Sequence, residues 1–257
     1  MEKNLRIKFL EKGKKLRKDF IKILLEGFKF HVGGTLSCLD ICVVLFYGNF
    51  INLEKKNRNF FILSKGHALA CLFLTLMDKK LYNLKFLKKN YKNLNFGGQL
   101  DIYNSKYVDW NTGSLGHSIG VATGLAIKNP KKKIFVIVGD AEFEEGSIWE
   151  AIFYISEKKI KNILIIIDRN RMSASTIIEN KEIFDKKIIN QLNFNLVKIN
   201  GHNYEKIYKS VEKFKKKTKS TIIIANTIKG KGFKIFENSK KYSHEMPKKE
   251  ILKNLIY

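Results

Sequence analysis

The sequence predicts an α/β domain with a doubly wound, mainly parallel sheet and helices on both faces. Two observations carry that expectation. Short, continuous apolar runs at 134–138 (IFVIV) and 162–167 (NILIII) each stop at a polar cluster, Gly139-Asp140 and Asp168-Arg169-Asn170, as strands buried on both faces do. A stretch of helical character at 147–157 lies between them, which makes a βαβ unit. Strand and helix patterns keep alternating along the chain, with no repeat, no low-complexity linker and no clear second domain. Residues 1–257 therefore read as one domain.

Taken in order, Leu5, Phe9, Leu16, Phe20, Ile23, Leu24 and Phe28 recur at spacings near three and four and predict an amphipathic first helix, interrupted or bent near Gly13. The apolar stretch 39–46 follows a Gly-Gly-Thr start and reads as a buried helix with Ser37 as its cap. A short strand is expected at 60–63, a helix at 68–77, a lysine-rich helix at 82–95, a loop at 96–107 and a further helix at 115–127. After the βαβ unit come strands at 196–199 and 221–225 around a helix at 204–214.

Composition narrows the function classes. With 257 residues, 44% of them apolar, the chain can bury a full core. No apolar run approaches the ~20 residues that cross a bilayer, and the start MEKNLRIKFLEKGKK lacks the apolar stretch of a secretory signal. Cys38, Cys42 and Cys71 form no paired-ligand spacing and no even disulfide set, so they read as buried thiols in a reducing cytoplasm. The net charge of +25 could serve nucleic acid. Yet it is nearly all lysine, spread along the chain, with clusters such as Lys131-Lys132-Lys133 and Lys215-Lys216-Lys217 where solvated loops or helix ends belong. It reads as a solvated surface.

Chemistry concentrates in residues 139–170. In an open parallel sheet, ligands sit outside the carboxyl ends of the strands, so Asp140 and Asn170 should face one crevice. A carboxylate, an amide and a nearby backbone carbonyl suit a hard cation, Mg²⁺ or Ca²⁺, that completes its shell with phosphate oxygens.

This segment resembles the thiamine-diphosphate enzymes, whose Gly-Asp-Gly is followed about thirty positions later by Asn. Further stretches are similar to transketolases in particular: His31-Val32-Gly33-Gly34, Leu63-Ser64-Lys65-Gly66-His67-Ala68, Thr112-Gly113-Ser114-Leu115-Gly116, Glu145-Gly146 with Trp149-Glu150-Ala151, and Lys229-Gly230-Lys231-Gly232 with Glu237-Asn238 and His244. The matches run in family order over nearly the whole chain and resemble one part of a transketolase, the domain that binds the cofactor's diphosphate.

The resemblance implies roles. Asp140, Asn170 and the carbonyl of Met172 would ligate the metal. Gly113, Ser114, Leu115, Gly116, Gly139, Asp140, Ala141, Glu142, Asn170 and Lys229 would contact thiamine diphosphate, with Leu115 packing on it and the glycines permitting close approach. His31, His67 and His244 would line the reacting region and move protons, and Glu145 would join Glu150 at a subunit interface that couples two sites. The implied activity is transfer of a two-carbon ketol unit from a ketose, such as a sugar phosphate, to an aldose. The glutamate that activates the cofactor's pyrimidine belongs to a separate pyrimidine-binding domain in this family. That domain is expected on a second transketolase subunit, in a hetero-oligomer built on a dimer of this chain with its partner. Related readings are a thiamine-diphosphate synthase, a 2-oxoacid decarboxylating component, or a non-catalytic binding subunit.

Three departures stand out. Ala141 replaces the last Gly of Gly-Asp-Gly, which would strain a left-handed backbone by about 1–2 kcal/mol. Gly97-Gly98-Gln99-Leu100-Asp101 lacks the histidine usual there, and Val32 replaces a proline, which together allow a changed donor or acceptor sugar.

Overall fold

The structure is a computed structural model and describes residues 1–93, 105–173, 189, 191–216, 218–243 and 245–256. Its centre is a five-stranded, all-parallel sheet in the order β1-β2-β3-β5-β4. The strands are β1 (Phe60–Leu63), β2 (Ile134–Gly139), β3 (Ile163–Arg169), β4 (Phe194–Asn200) and β5 (Ser220–Asn226). Eight helices accompany them among the described residues. These are α1 (Lys3–Leu25), α2 (Val32–Tyr47), α3 (Ala70–Asp78), α4 (Leu84–Asn93), α5 (His117–Lys128), α6 (Gly146–Glu157), α7 (Tyr204–Lys216) and α8 (Lys249–Lys253).

Strand alternation divides the core in two. Phe135, Ile137, Leu164, Ile166, Ile223 and Ala225 point to one face and pack with α1, α2, α3 and α7. Val136, Val138, Ile163, Ile165, Ile167 and Ile224 point to the other and meet Ile119 and Ala122 of α5 and Ile148, Ile152 and Ile155 of α6. Helices thus cover both faces, as expected. The chain steps one way through β1, β2 and β3, then skips to edge strand β4 and returns to β5. That reversal puts α7 on the face opposite α6, as right-handed crossovers require.

Two sequence expectations are corrected here. Helix α1 runs unbroken through Gly13. The glycine is buried where any Cβ would run into the hydroxyl of Tyr204, so it serves a close approach and produces no bend. Helix α2 starts at Val32, seven residues before the stretch that the apolar run marks, with His31 as its flanking residue. Ser37 lies inside the helix and caps nothing. All sixteen residues of α2 are buried, so it carries no amphipathic period to mark its start. The expected loop at 96–107, with the Gln99 region, lies mostly outside the described residues.

A polar network ties α1 and α2 to the sheet. Arg17 donates two hydrogen bonds of 2.8 Å to the carboxylate of Asp40, which also accepts from Tyr204 Oη at 2.5 Å and His202 Nδ1 at 2.8 Å. His202 Nε2 accepts the backbone N–H of Ile228, so the ring is neutral and keeps its proton on Nδ1. Burial acts to raise the Asp40 pKa, but the bond from His202 and the charge of Arg17 hold it well below the usual carboxylate range.

Because Tyr204 Oη is held by Asp40 and its ring packs against Phe9, Gly13→Ala should destabilise the protein by about 1–3 kcal/mol, although alanine is the better helix former. Chemical denaturation checks this, and a gain in stability would show that Tyr204 yields at no cost.

Candidate functional site

The carboxyl ends of β1, β2 and β3, the start of α2 and the turn after β5 enclose a cavity of 260 Å³. His31, Lys65, His67, Leu115, Gly139, Asp140, Ala141, Glu142, Asn170, Met172 and Lys229 line it. Most of the residues singled out in the sequence are therefore brought together. Gly113, Ser114, Gly116 and Glu145 are not among the lining residues; Gly113, Ser114 and Glu145 are exposed, and Gly116 is buried. Glu145 flanks the N-terminus of α6 without a capping bond. His244 lies outside the described residues, next to Ser243, which does line the cavity.

Beneath the cavity floor sits Asp168, with no exposed surface. The Lys65 ammonium pairs with one of its oxygens. Ser37 Oγ donates to the other at 2.8 Å, and Thr227 Oγ1 also donates to it. Burial alone would lower the Lys65 pKa, and the Asp168 charge more than reverses this. Asn170 Nδ2 donates to Ser37 Oγ at 3.2 Å, while Asn170 Oδ1 accepts the Met172 N–H at 3.1 Å and folds the chain into an Asx turn. The sequence points to Asn170 but gives Asp168 no role. The available signal is a carboxylate two residues from Asn170 on the same strand end.

Asp140 is 3% exposed, and its two oxygens accept the backbone N–H groups of Ala141 (3.0 Å) and Arg171 (2.6 Å). Among the described residues it has no ion-pair partner. Burial, followed by repulsion from Asp168, pushes its pKa up to about 6. The Lys65 charge offsets this only in part, and a buried carboxylate outside any ion pair beside an amide oxygen fits a hard cation.

Glu142 has a structural task. Its carboxylate accepts Ser64 Oγ and the N–H groups of Gly116 (3.1 Å) and Gly139 (3.2 Å), which joins the ends of β1 and β2 to the loop before α5. Gly116 adopts φ +84°, and a Cβ there would press on Glu145 and Ser147 at the start of α6. Its glycine requirement therefore comes from packing within the protein and from the dihedral. Ala141 is right-handed at φ −62° and ψ −40°, so the strain expected at this position does not arise.

On the far wall, Lys229 is 7% exposed and donates to the carbonyl of Ser173 at 2.8 Å. Burial, with repulsion from Lys65, brings its pKa down to about 8. Gly33 and Gly34, in the first turn of α2, leave room for the Lys229 stem and the His67 ring, since a Cβ at Gly34 would lie 2.6 Å from that ring. The His31 and His67 rings meet edge to face at 5.7 Å. Burial and then the Lys65 charge hold the His67 pKa well below its usual value, so this imidazole is neutral near pH 7.

Comparison with known proteins agrees with this geometry. A family model described as "Transketolase, thiamine diphosphate binding domain" matches residues 9–251. An apulose-4-phosphate transketolase subunit of Phocaeicola vulgatus is 31% identical, over 93% of this chain and 89% of its own length. The 6-deoxy-6-sulfo-D-fructose transketolase subunit SqwG of a Clostridium species is 29% identical, over 84% of this chain and 82% of its own. Transketolase of Homo sapiens is 27% identical over 94% of this chain, which spans 40% of that protein. Transketolase from Campylobacter jejuni superposes with a TM-score of 0.77 at 27% identity, over 94% of this chain and 40% of that one. Family match, fold and cavity thus agree, and the chain belongs to the transketolase family through its thiamine diphosphate-binding domain.

Proposed function

We propose that this chain is the diphosphate-binding subunit of a two-subunit transketolase, which moves a two-carbon ketol unit from a ketose or ketose phosphate to an aldose. The observation that carries this reading is the buried carboxylate of Asp140, outside any ion pair among the described residues, beside the Asn170 amide in a cavity that also holds Lys229 and two histidines. The length of the relatives supports the division into subunits. The chain spans 89% of the Phocaeicola vulgatus subunit but 40% of human transketolase.

Asp140, Asn170 and the carbonyl of Met172 would hold Mg²⁺ or Ca²⁺, which would supply positive charge for the diphosphate. Two features of the chain favour the diphosphate itself. The α2 N-terminus has no capping side chain, so its free N–H groups at the Gly33-Gly34 turn supply positive potential. Lys229, with a pKa of about 8, still carries its charge at neutral pH. Thiamine diphosphate, when bound, supplies the nucleophilic carbon for making and breaking carbon–carbon bonds. His67, held neutral, can accept or donate a proton at the substrate's oxygens, and His31 and His244 would serve the same groups. Leu115, half exposed at the cavity mouth, offers an apolar contact to the cofactor.

The partner would bring the pyrimidine-binding domain and its activating glutamate. Phe153 and Tyr154 on α6 and Ile127 on α5 are exposed, and so are Glu145 and Glu150 at and after the start of α6. Exposed apolar side chains of this kind suit a subunit interface, on which a dimer of this chain with its partner would be built. No helix among the described residues is long and apolar enough to cross a membrane. The three free, buried thiols fit a reducing cytoplasm.

Asp140→Asn should abolish Mg²⁺-dependent thiamine diphosphate binding in calorimetry while the melting temperature of the ligand-free chain stays level or rises, because a buried carboxylate repelled by Asp168 is made neutral. A binding-competent variant would move the metal elsewhere. Protons compete with the cation for Asp140, so apparent affinity should fall about tenfold per pH unit below about 6 and level off above it. A flat titration between pH 5 and 7 would contradict that role. The purified chain should show no ketol transfer until the partner subunit is added, and 2-oxoacid turnover without a ketose would favour the decarboxylating alternative.

A further inference from the structure

All three cysteines of the chain, Cys38, Cys42 and Cys71, meet inside the core, each with no exposed surface. Cys38 and Cys42 lie one turn apart on α2, and Cys71 stands in the first turn of α3. Their Sγ atoms all lie within 4.8 Å of one another, the Cys38 and Cys71 sulfurs are 3.6 Å apart, and none is in a disulfide. A thiolate-bound ion at a metal–sulfur distance of about 2.3 Å sets its sulfurs roughly 3.8–4.0 Å apart, whether tetrahedral or trigonal. The 3.6 Å separation is just below that spacing, and the 4.8 Å bound on all three pairs leaves room for it. Small rotamer shifts would close all three sulfurs on one ion.

The surroundings select the ion. Structural zinc sites take four Cys or His ligands, and among the described residues no His, Asp or Glu joins this group. Thr35, near Cys38 on α2, accepts the Cys71 thiol through its carbonyl at 3.0 Å, and its buried hydroxyl has no hydrogen-bond partner among the described residues. Packing alone needs no convergence of sulfurs 33 positions apart in the chain. Three soft ligands, with no fourth among the described residues, match the preference of monovalent copper for thiolates.

We propose that Cys38, Cys42 and Cys71 form a buried three-sulfur site for copper(I). Binding releases thiol protons to solvent, and copper stays monovalent, so no electron donor or acceptor is needed. The bound ion cross-links α2 to α3 behind the diphosphate cavity. Cys38 follows Ser37, which bonds Asp168, and Cys71 lies one turn beyond His67.

The test is a titration of the full chain, reduced and under anaerobic conditions, with copper(I) against a coloured copper(I) chelator, followed by X-ray absorption on the loaded protein. One copper per chain in a shell of three sulfurs is expected. Cys42→Ala and Cys71→Ala, each confirmed folded by circular dichroism, should lose more than the about 10–100-fold in affinity typical of outer-shell changes. Zn²⁺ titrated in parallel should bind more weakly. If either variant fails to fold, the stoichiometry and sulfur shell of the native chain decide. Failure to compete with the chelator, a nitrogen or oxygen shell, equal retention by both variants, or tighter Zn²⁺ binding would overturn the proposal. These readouts need neither thiamine diphosphate nor a partner, so they stand apart from the transketolase assay.

Discussion

The contact between Lys65 and Asp168 is the constraint on which the site's geometry rests. Lys65 leaves the end of β1 and Asp168 the end of β3, with β2 lying between them, so the pair spans the middle of the sheet at its carboxyl edge. Both groups are buried, and removing one partner of such a pair typically costs about 3–5 kcal/mol, because the other is left charged and dry. Ser37 and Thr227 meet the remaining needs of the carboxylate, which brings α2 and the end of β5 to the same point. Asn170 is then positioned through Ser37. The proposed metal ligands thus stand on a floor that is itself hydrogen-bonded throughout.

A second buried carboxylate plays a similar part farther along α2. Asp40 gathers Arg17, Tyr204 and a neutral His202, and His202 in turn fixes the backbone at Ile228, next to Lys229. The lysine that faces the cavity is therefore aimed by a chain of contacts beginning in α1. Glu142 completes the set by tying β1, β2 and the Gly116 loop together. Each of the three acids organises backbone that is remote in sequence. None of them needs to touch a substrate to matter.

Legibility in the sequence follows locality. The βαβ unit around Asp140 and Asn170 is readable because strands buried on both faces are apolar without interruption and end at polar residues. The start of α2 is not, since a helix enclosed on every side shows no period and its Gly33-Gly34 looks like a turn. Gly13 misleads for a related reason: propensity says weak helix, while tertiary contact with Tyr204 demands a missing side chain. The cysteines read as unrelated buried thiols, because only the packing of α2 on α3 reveals that they meet. Glu142 and Asp168 lie inside or beside recognisable motifs, yet apart from the Gly139 N–H that Glu142 accepts, the partners described for them are long-range and leave no local trace.

The right-handed backbone of Ala141 has a consequence for how this chain can diverge. A position that only glycine can occupy is guarded by folding itself, whereas this one accepts any L-residue as far as its backbone is concerned. What limits side-chain size there is the space that a bound diphosphate would claim. Replacement tolerance at residue 141 therefore gauges selection for cofactor occupancy separately from selection for a stable subunit. A larger side chain at that site would therefore record the loss of ligand binding before the architecture showed any change.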